Sequence, residues 1–455
     1  MGAGAQGAEH PHRMSCDVAV IGGGLSGLAC ALRVAMAGKR VVVFERSSEE
    51  RYPCNSRIAT GVFHVAMNSV SLDPRTLEAR VREAVGEGAR ADLVSALCRN
   101  AGRAVGWLRE SGGAQFIRGG EAPFYDHVLA PSTIGQVGRP WQGKGADVLL
   151  GSLEQKLVAH GGRVLRGHAA AELKMQNGRC IGLRGEGFDV AARDVVIADG
   201  GYQNDPVQTK KRISPVPERL VQRNARTGCG DGLQMALAAG AALADRGGFY
   251  GHLQSRSALT DDRLWPYPWA DELARACIVV GSDGRRIADE SRGGVYLANR
   301  IAALPDPASA WVICDHLAWE GPGAERHTSP NPLLERMGGA LQRAPTIEAL
   351  AAETGIDAGG LAATIADYNA GLPAWPIRKW PFYALPIVPG ITYTFGGIAV
   401  DGDSRALRED ATPLEGLYAA GSTTGGLEGG ERFGYVGGLV KAAVTGLLAA
   451  EHICR

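Results

Sequence analysis

The chain has 455 residues, which is long enough for two or more domains with sizeable hydrophobic cores. Its 48 basic and 48 acidic residues balance, so charge gives no reason to expect nucleic acid or an anionic membrane as a partner. The nine scattered cysteines include no C-x-x-C pair, which argues against zinc, iron–sulfur, c-type haem and disulfide sites and favours a cytoplasmic protein. Residues 1–13 are small and polar and predict a disordered extension, and the apolar runs are too short to predict a membrane span.

The first elements after residue 13 form a strand–helix–strand unit. Residues 17–21 are a short apolar run typical of a buried parallel strand, and residues 28–38 are an alanine-rich helix that ends at a glycine. Residues 41–44 are a second buried strand, which Glu45 closes. This order predicts one complete βαβ unit.

A glycine-rich turn with the spacing Gly22-x-Gly24-x-x-Gly27 joins the first strand to the helix. The first glycine permits a tight turn, the second lets a pyrophosphate approach the backbone, and the third lets helix and strand pack closely. N–H groups at the start of the helix bind the pyrophosphate, and Glu45 accepts hydrogen bonds from adenosine ribose hydroxyls. The unit therefore predicts a dinucleotide site, without deciding between NAD and FAD.

The composition changes in the second half of the chain. From about residue 247 tryptophan, proline and arginine crowd the sequence, and no parallel-sheet pattern appears until residue 386. We therefore predict an inserted domain over residues 247–381. The other predicted elements are helices over residues 76–85, 92–110, 148–160, 230–240 and 437–453, and strands over residues 163–165, 170–190, 194–198 and 416–420.

Five segments carry a resemblance to a known family: residues 18–27, 55–61, 195–201, 394–397 and 416–421. Together they are similar to the fumarate reductase/succinate dehydrogenase flavoprotein superfamily, which includes soluble fumarate reductase, 3-ketosteroid dehydrogenase and tricarballylate dehydrogenase. The resemblance implies an α/β fold, in which a Rossmann-like FAD-binding domain (a GR2-type flavoprotein) is interrupted by an α+β capping domain. The implied boundaries are residues 14–246 and 382–455 for the two parts of the FAD-binding domain and 247–381 for the capping (substrate) domain.

The resemblance implies FAD rather than NAD, because the C-terminal strand and helix match those that close the flavin pocket in this family. Membrane-bound relatives carry a histidine that bonds covalently to the flavin, where this chain has Asn55, Ser56 and Arg57. We therefore predict noncovalent FAD. The residues expected to bind it are Gly22, Gly24, Leu25, Ser26, Gly27, Glu45, Arg46, Asn55, Ser56, Ala59, Thr60, Gly61, Ala169, Ala198, Asp199, Gly200, Gly421, Ser422, Gly437, Gly438 and Leu439.

The resemblance also implies substrate-binding residues. Fumarate reductases hold substrate carboxylates with cations, and their glycine-rich arginine motif resembles residues 429–434, which gives Arg432 the role of carboxylate ligand. His252 falls where the family has a substrate histidine, and Gly396 and Gly397 belong to a further family motif.

A proton relay is implied in the same way. Residues 271–275 resemble a threonine-glutamate-x-x-arginine element of the family's relay, which assigns Glu272 and Arg275 to it. Arg292 lies two residues before the position of the family's arginine proton donor. Because a guanidinium normally stays protonated, such a donor needs a relay that replaces its proton quickly.

Tyr393 is a departure from the fumarate reductase pattern, which has a histidine before the segment at 394–397. A tyrosine can donate a hydrogen bond to a carboxylate or carbonyl oxygen but brings no positive charge. Ketosteroid dehydrogenases also use tyrosines as acids and bases. Tyr393 therefore favours a substrate with one carboxylate, or a carbonyl, and a less polar tail.

The function that the resemblance implies is FAD-dependent oxidation or reduction of a CH–CH bond next to a carboxylate or carbonyl, by hydride transfer at flavin N5. The alternatives are a 3-ketosteroid-type or tricarballylate-type dehydrogenase and a redox-inert or electron-transfer flavoprotein. A large apolar cleft with Arg432 turned away from the flavin would favour the ketosteroid type. The expected partners are a carboxylate or enone substrate and an external electron carrier, with no metal and no nucleic acid. The aromatic cluster at 265–269 and His64 are interpreted as packing residues.

Overall fold

Two β-sheets organise the protein, whose computed structural model describes residues 12–136, 140–326 and 328–455. The strands are β1 (His12–Ile21), β2 (Val41–Glu45), β3 (Phe116–Ile117), β4 (Val128–Leu129), β5 (Arg163–Arg166), β6 (Ala170–Gln176), β7 (Arg179–Gly185), β8 (Phe188–Ile197), β9 (Val221–Gln222), β10 (Leu243–Ala244), β11 (Phe249–Ser255), β12 (Ile278–Val280), β13 (Trp311–Asp315), β14 (Gln342–Ala344), β15 (Phe382–Thr394), β16 (Gly397–Ile398), β17 (Arg405–Leu407) and β18 (Pro413–Ala419).

The α-helices connect and cover these strands. They are α1 (Leu25–Met36), α2 (Asn55–Ile58), α3 (Pro74–Val85), α4 (Ala91–Glu110), α5 (Gly145–Ala159), α6 (Pro206–Arg212), α7 (Asp231–Ala238), α8 (Asp271–Ala276), α9 (Gly294–Ala302), α10 (His316–Glu320), α11 (Pro330–Arg336), α12 (Ile347–Thr354), α13 (Ala358–Ala370) and α14 (Gly438–Ile453). Among the described residues, every helix is too short or too polar to cross a membrane.

The first sheet has a parallel centre. Its strand order is β17-β18-β8-β1-β2-β5, with β6 and β7 on the side of β8, and the strands from β18 to β5 run parallel. The valine-rich strand β2 is buried along its whole length, and so are the last four residues of β1 and of β8. Such burial is expected for parallel strands with helices on both faces of the sheet. Helix α1 packs against α5 and α14 beside this sheet. The predicted α/β fold with a Rossmann-like centre is confirmed.

The predicted N-terminal extension needs a correction at two residues. His12 and Arg13 belong to β1, where they pair with the first residues of β8. The first residues of β8, which begins at Phe188, give them backbone hydrogen-bond partners. The strand therefore starts before the apolar run at 17–21 from which it was predicted. Residues 1–11 of the predicted extension lie outside the described residues.

The second sheet is mostly antiparallel. Its strand order is β11-β15-β13-β12, with β14 and β9 also paired to β15, and only β9 runs parallel to its neighbour. Helix α9 packs on β11 and β15. Buried residues of this sheet, among them Leu253, Val312 and Leu385, form a core with Leu297 of α9, separate from the core around β1.

Strands of the second sheet also come from outside residues 247–381. β9 begins at Val221, and β15 begins at Phe382 and runs for 13 residues to Thr394. The domain boundaries at 247 and 381 therefore remain a prediction, while the sheet itself continues past both. Strand β15 and the residues after β9 contact Asn55 at the start of α2, so the second sheet touches the predicted FAD-binding part of the chain there.

Candidate active site

A cavity of about 950 Å³ lies between the two sheets. The glycine-rich turn after β1 and the end of β2 line one part of it, and residues of β11, α8 and β15 line another. A ligand at the turn and a second ligand on the second sheet would therefore share one space. This is the arrangement that a cofactor and a substrate require.

The turn between β1 and α1 uses its three glycines in different ways. Gly22 has φ +99°, and a Cβ there would lie 2.6 Å from the Ala198 carbonyl oxygen, so only glycine fits beside β8. A Cβ on Gly27 would lie 2.1 Å from the Gly22 oxygen, so this glycine permits the helix to pack on the strand. A Cβ on Gly24 would lie 3.5 Å from its nearest neighbour, the Ser56 Oγ. Gly24 therefore has open space beside it, and that space is part of the cavity.

Glu45 is held at the end of β2 by two backbone groups. Its Oε2 accepts from Gly23 N at 3.0 Å, and its Oε1 accepts from Ser47 N at 2.9 Å. The side chain is buried but still lines the cavity, and each oxygen has a further lone pair. It can therefore accept hydrogen bonds from ribose hydroxyls, as its position in the motif predicts.

Asn55 and Ser56, at the start of α2, connect the glycine-rich turn to the second sheet. Ser56 Oγ accepts from Leu25 N at 3.1 Å. Asn55 Nδ2 donates to the Thr392 carbonyl at 2.9 Å, and its Oδ1 accepts from Ala225 N at 2.9 Å. Both polar ends of Asn55 are thus used to hold three segments of backbone together.

Most residues predicted to bind FAD lie in the cavity wall, and the observed wall fits that cofactor. Like Gly24, Gly200 leaves open space, since a Cβ there would meet no atom closer than 3.8 Å. The lining residues of the predicted set are Gly22, Gly24, Ser26, Glu45, Arg46, Asn55, Ser56, Ala59, Thr60, Ala169, Ala198, Asp199, Gly200, Ser422, Gly438 and Leu439. The others, Leu25, Gly27, Gly61, Gly421 and Gly437, lie outside the wall.

Tyr250, His252 and Asp271 form a hydrogen-bonded chain in the cavity wall. His252 Nδ1 lies 2.5 Å from Asp271 Oδ2, and His252 Nε2 lies 3.0 Å from the Tyr250 hydroxyl. Burial lowers the pKa of His252 below 6.5, although Asp271 opposes the shift, so the ring is neutral at pH 7. A neutral ring that donates from Nδ1 to the carboxylate accepts at Nε2 from the Tyr250 hydroxyl.

Tyr393 lies opposite Tyr250 on the paired strands β15 and β11, and its hydroxyl contacts a buried ion pair. Its hydroxyl donates to Glu428 Oε1 at 2.8 Å, and Lys441 Nζ lies 2.7 Å from Glu428 Oε2. The Glu428 side chain is fully buried and that of Lys441 is 3% exposed. Burial and the Glu428 carboxylate raise the pKa of Tyr393 well above its ordinary value, so this phenol stays protonated.

Tyr435 completes an aromatic wall. Its ring stacks on Tyr250 with centroids 3.9 Å apart and an angle of 13° between the planes. Its hydroxyl oxygen accepts from Gly438 N at 3.2 Å, which leaves its proton for the neighbouring Tyr250 hydroxyl or for a ligand in the cavity. Burial raises the pKa of Tyr435 well above its ordinary value.

Sequence reasoning missed several of these residues. One available signal was the Tyr250-x-His252 spacing, because side chains two apart on a strand point to the same face. The others depend on contacts between distant segments. The missed residues are Arg223, Tyr250, Asp271, Glu428, Tyr435 and Lys441.

Arg432 and Arg292 line the cavity but are exposed. Arg432 Nη1 donates to the Glu83 carbonyl at 2.8 Å. Arg292 Nη2 donates to the Glu431 carbonyl at 3.1 Å, and its guanidinium carbon lies 3.8 Å from the centre of the Tyr296 ring. Each arginine therefore has contacts with the protein at the mouth of the cavity.

The other predicted relay and substrate residues are dispersed. Glu272 lines the cavity and lies 3.6 Å from Arg326, whereas Arg275 is exposed on α8 and does not line the cavity. Gly396 and Gly397 also lie outside the wall, because they are packed tightly: a Cβ on Gly397 would lie 2.1 Å from a backbone oxygen of the 421–424 turn. The structure does not bring these four residues together.

The aromatic cluster at 265–269 lies in the cavity wall. Trp265, Tyr267 and Trp269 all line the cavity, and Trp269 lies over the ring of His252 at 4.3 Å between centroids. His64 is buried and also lines the cavity, where its Nδ1 accepts from Met67 N at 3.1 Å and burial lowers its pKa to about 4. His64 is therefore held by a backbone contact, and the interpretation of both as packing residues stays a prediction.

Comparisons with known proteins give the family. The model of the FAD binding domain matches residues 17–436, and the chain belongs to that family, within the fumarate reductase/succinate dehydrogenase flavoprotein superfamily of FAD-dependent oxidoreductases. The probable fumarate reductase Ifc3 of Shewanella frigidimarina is 26% identical over 96% of this chain and 75% of its own length. The 4-oxocyclohexanecarboxylate 2-dehydrogenase of Sinomonas cyclohexanicum is 27% identical over 90% of this chain and 88% of its own.

A solved structure supports the fold. The 3-ketosteroid Δ1-dehydrogenase of Sterolibacterium denitrificans has a TM-score of 0.76 and 18% identity, with 97% of this chain and 99% of that chain covered. Among eight of the curated relatives that it matches, the chain spans between 35% and 94% of the relative's own length. The superfamily predicted from the sequence motifs is thus confirmed, and the likeness to the solved structure concerns the fold alone.

Proposed function

We propose that the protein oxidises or reduces a CH–CH bond next to a carbonyl, with FAD bound noncovalently along the wall that runs from Gly24 to Ser422. When bound, FAD supplies hydride exchange at N5. The observation that carries the proposal is the neutral wall formed by Tyr250, Tyr393 and Tyr435, which shares one cavity with the glycine-rich turn. Phenols can donate hydrogen bonds to the carbonyl oxygen on which charge develops.

Tyr250 is the proposed proton acceptor and donor at carbon. Tyr250, His252 and Asp271 are hydrogen-bonded in the same order as the members of a catalytic triad. In a triad the histidine takes the proton of a hydroxyl, and a carboxylate stabilises the resulting imidazolium. Burial raises the pKa of Tyr250 to about 12, so the Tyr250 oxygen takes a proton from the carbon next to the carbonyl as its own proton passes to His252. In the direction of reduction the same oxygen returns that proton.

The carbonyl oxygen is the proposed partner of Tyr435. The Tyr435 oxygen already accepts from Gly438 N, whereas the Tyr393 hydroxyl donates to Glu428. Tyr435 is therefore the better placed of the two to donate its proton into the cavity. The role proposed for Tyr393 is to support the wall through the Glu428–Lys441 pair.

Two observations favour a carbonyl substrate over a dicarboxylate. The wall next to the relay is built from uncharged phenols, and Arg432 donates to Glu83 O at the exposed mouth. Fumarate has two carboxylates, and a fumarate-type reaction would call for a cation at each of them. Among the relatives, one is named for a substrate that has both a ketone and a carboxylate. Polar side chains that face the cavity, such as Tyr250 and His252, speak against a redox-inert protein.

Anaerobic half-reactions test the proposal. The oxidised protein is mixed with saturated cyclic ketones and with succinate, and the reduced protein with cyclic enones and with fumarate. We expect flavin bleaching by the ketones and reoxidation by the enones, both lost in Tyr250→Phe and kept in Tyr368→Phe. Tyr368 lies outside the cavity wall, where its hydroxyl donates to the Ala276 and Trp375 carbonyls. Turnover of the dicarboxylates alone would contradict the assignment to a carbonyl, and no response to either class would leave only FAD binding. An external electron carrier would complete the cycle.

A further inference from the structure

Arg223 is a cation in the cavity wall that the proposed chemistry has not used. It follows β9, and its backbone N–H donates to the Ile391 carbonyl at 2.9 Å, which fixes it beside β15. Its Nη1 donates to Thr392 Oγ1 at 3.1 Å. Asn55 at the start of α2 donates to the carbonyl of the same Thr392, so Arg223 lies at the junction of the predicted flavin segment and the tyrosine wall.

The positive charge of Arg223 has no ionic partner within the described ranges. No carboxylate there lies within 4.0 Å of its guanidinium, and its Nε is buried without a hydrogen-bond acceptor. Tyr250, Tyr267 and Asp271 act on it only from a longer distance, and the Trp269 ring lies 5.9 Å from its guanidinium carbon. Because a guanidinium stays protonated, this half-buried charge and the buried Nε–H group lack the partner that such groups normally have.

We propose that Arg223 binds the carboxylate of the substrate, and that the substrate therefore carries a carboxylate and a ketone on one small skeleton. A carboxylate at this place would pair the charge and satisfy Nε, and a planar guanidinium suits two parallel hydrogen bonds to it. The ketone end then lies toward Tyr435 and Tyr250 on the same wall. This inference rests on the proposed function and names its substrate class.

Arg223 fits this role better than the arginine that the family motif indicates. The Arg432 side chain is exposed and bound to the Glu83 carbonyl, where water competes for its charge. Arg223 is half-buried, and removal from water strengthens its attraction for an anion. Its neighbours Trp269 and Tyr267 are aromatic and offer apolar contact to the skeleton between the two polar groups.

The test compares an acid with its ester in equilibrium binding to the FAD-loaded protein. The probes are 4-oxocyclohexanecarboxylate and its methyl ester, and the signal is the change in the flavin absorption spectrum under anaerobic conditions. In the wild type we expect the acid to bind more tightly. Arg223→Met should weaken the acid by about 100-fold and leave the ester unchanged, since hydrogen bonds to charged groups are of that strength. Arg223→Lys should restore part of the preference.

Arg432→Met is the matched control and should keep the acid preference. Three results would each overturn the proposal. They are loss of the acid preference in Arg432→Met instead, an equal loss of affinity for acid and ester in Arg223→Met, and equal affinities for acid and ester in the wild type. A changed flavin spectrum or redox potential in unliganded Arg223→Met, with the acid preference intact, would mean that Arg223 contacts the flavin, and overturns it too. The binding measurement does not require turnover. Tighter binding of the acid than of the ester without flavin reduction would support the role of Arg223 and contradict the proposed reaction.

Discussion

Tyr250 and Tyr393 face each other on neighbouring antiparallel strands, with ring centroids 5.7 Å apart, and each is connected to a different acid. Tyr250 reaches Asp271 through His252, whereas Tyr393 donates directly to Glu428. The first connection contains a histidine that can take a proton, and the second contains a lysine that neutralises the acid. The two phenols therefore differ in what they can do, although they occupy the same wall.

The relay can be tested through its dependence on pH. His252 must be neutral to accept the proton of Tyr250, and burial lowers its pKa below 6.5. The rate of anaerobic flavin reduction by a ketone should therefore be constant near neutral pH and fall as the pH drops through that lowered value. Asp271 raises the pKa of His252, so Asp271→Asn should move the acid limb to lower pH and reduce the plateau about 100-fold.

The control for that experiment is Asp261→Asn, which changes a surface carboxylate that pairs with Arg263. It should leave both the plateau and the acid limb in place. A plateau in Asp271→Asn equal to that of the wild type would show that the proton takes another route.

The buried pair of Glu428 and Lys441 should contribute strongly to stability. Glu428→Gln leaves the ammonium group buried without a carboxylate, and the expected loss in the free energy of unfolding is about 3–5 kcal/mol. Glu172→Gln, which removes an exposed pair with Arg184, should cost about 1 kcal/mol or less. Denaturant unfolding of the two variants measures the difference, and equal losses would contradict the role given to the buried pair.

The open space at Gly24 should be needed by the cofactor and not by the fold. Gly24→Val places side-chain atoms in the cavity, and we expect the affinity for FAD to fall about 10-fold to 100-fold. Gly151 of α5 also has open space around a Cβ but lies outside the cavity wall, so Gly151→Val should bind FAD like the wild type. Titration with FAD gives both values. A Gly24→Val protein that binds FAD normally would place the pyrophosphate elsewhere.

The flavin should be released when the protein is denatured. Asn55 provides no nucleophile, and its amide is occupied by Thr392 O and Ala225 N. After precipitation with acid, all the flavin should therefore appear in the supernatant, where chromatography identifies it as FAD. Yellow colour that stays with the precipitate would indicate a covalent bond.

Local pattern was sufficient for the βαβ unit. The apolar run before Gly22, the spacing of the glycines and the acid at Glu45 all act over short distances, and the structure places each of them in the cavity wall or directly behind it. The helix boundaries at α3, α4 and α14 also lie within a few residues of those predicted, since apolar periodicity reports which face of a helix is buried. The same local reasoning did not find that β1 begins at His12, because that end depends on β8.

The sequence by itself determined the family, the class of fold and most of the cavity wall beside the glycine-rich turn, because those features depend on backbone turns and on which residues exclude water. Only the tertiary structure decided which side chains meet at the substrate end. Tyr250 and Tyr393 become partners through the register of β11 with β15, and Glu428 reaches Lys441 across a loop. Arg223 enters the wall because β9 pairs with β15 rather than with the first sheet. Register and the docking of loops are set by the sum of many distant contacts, which no local pattern contains.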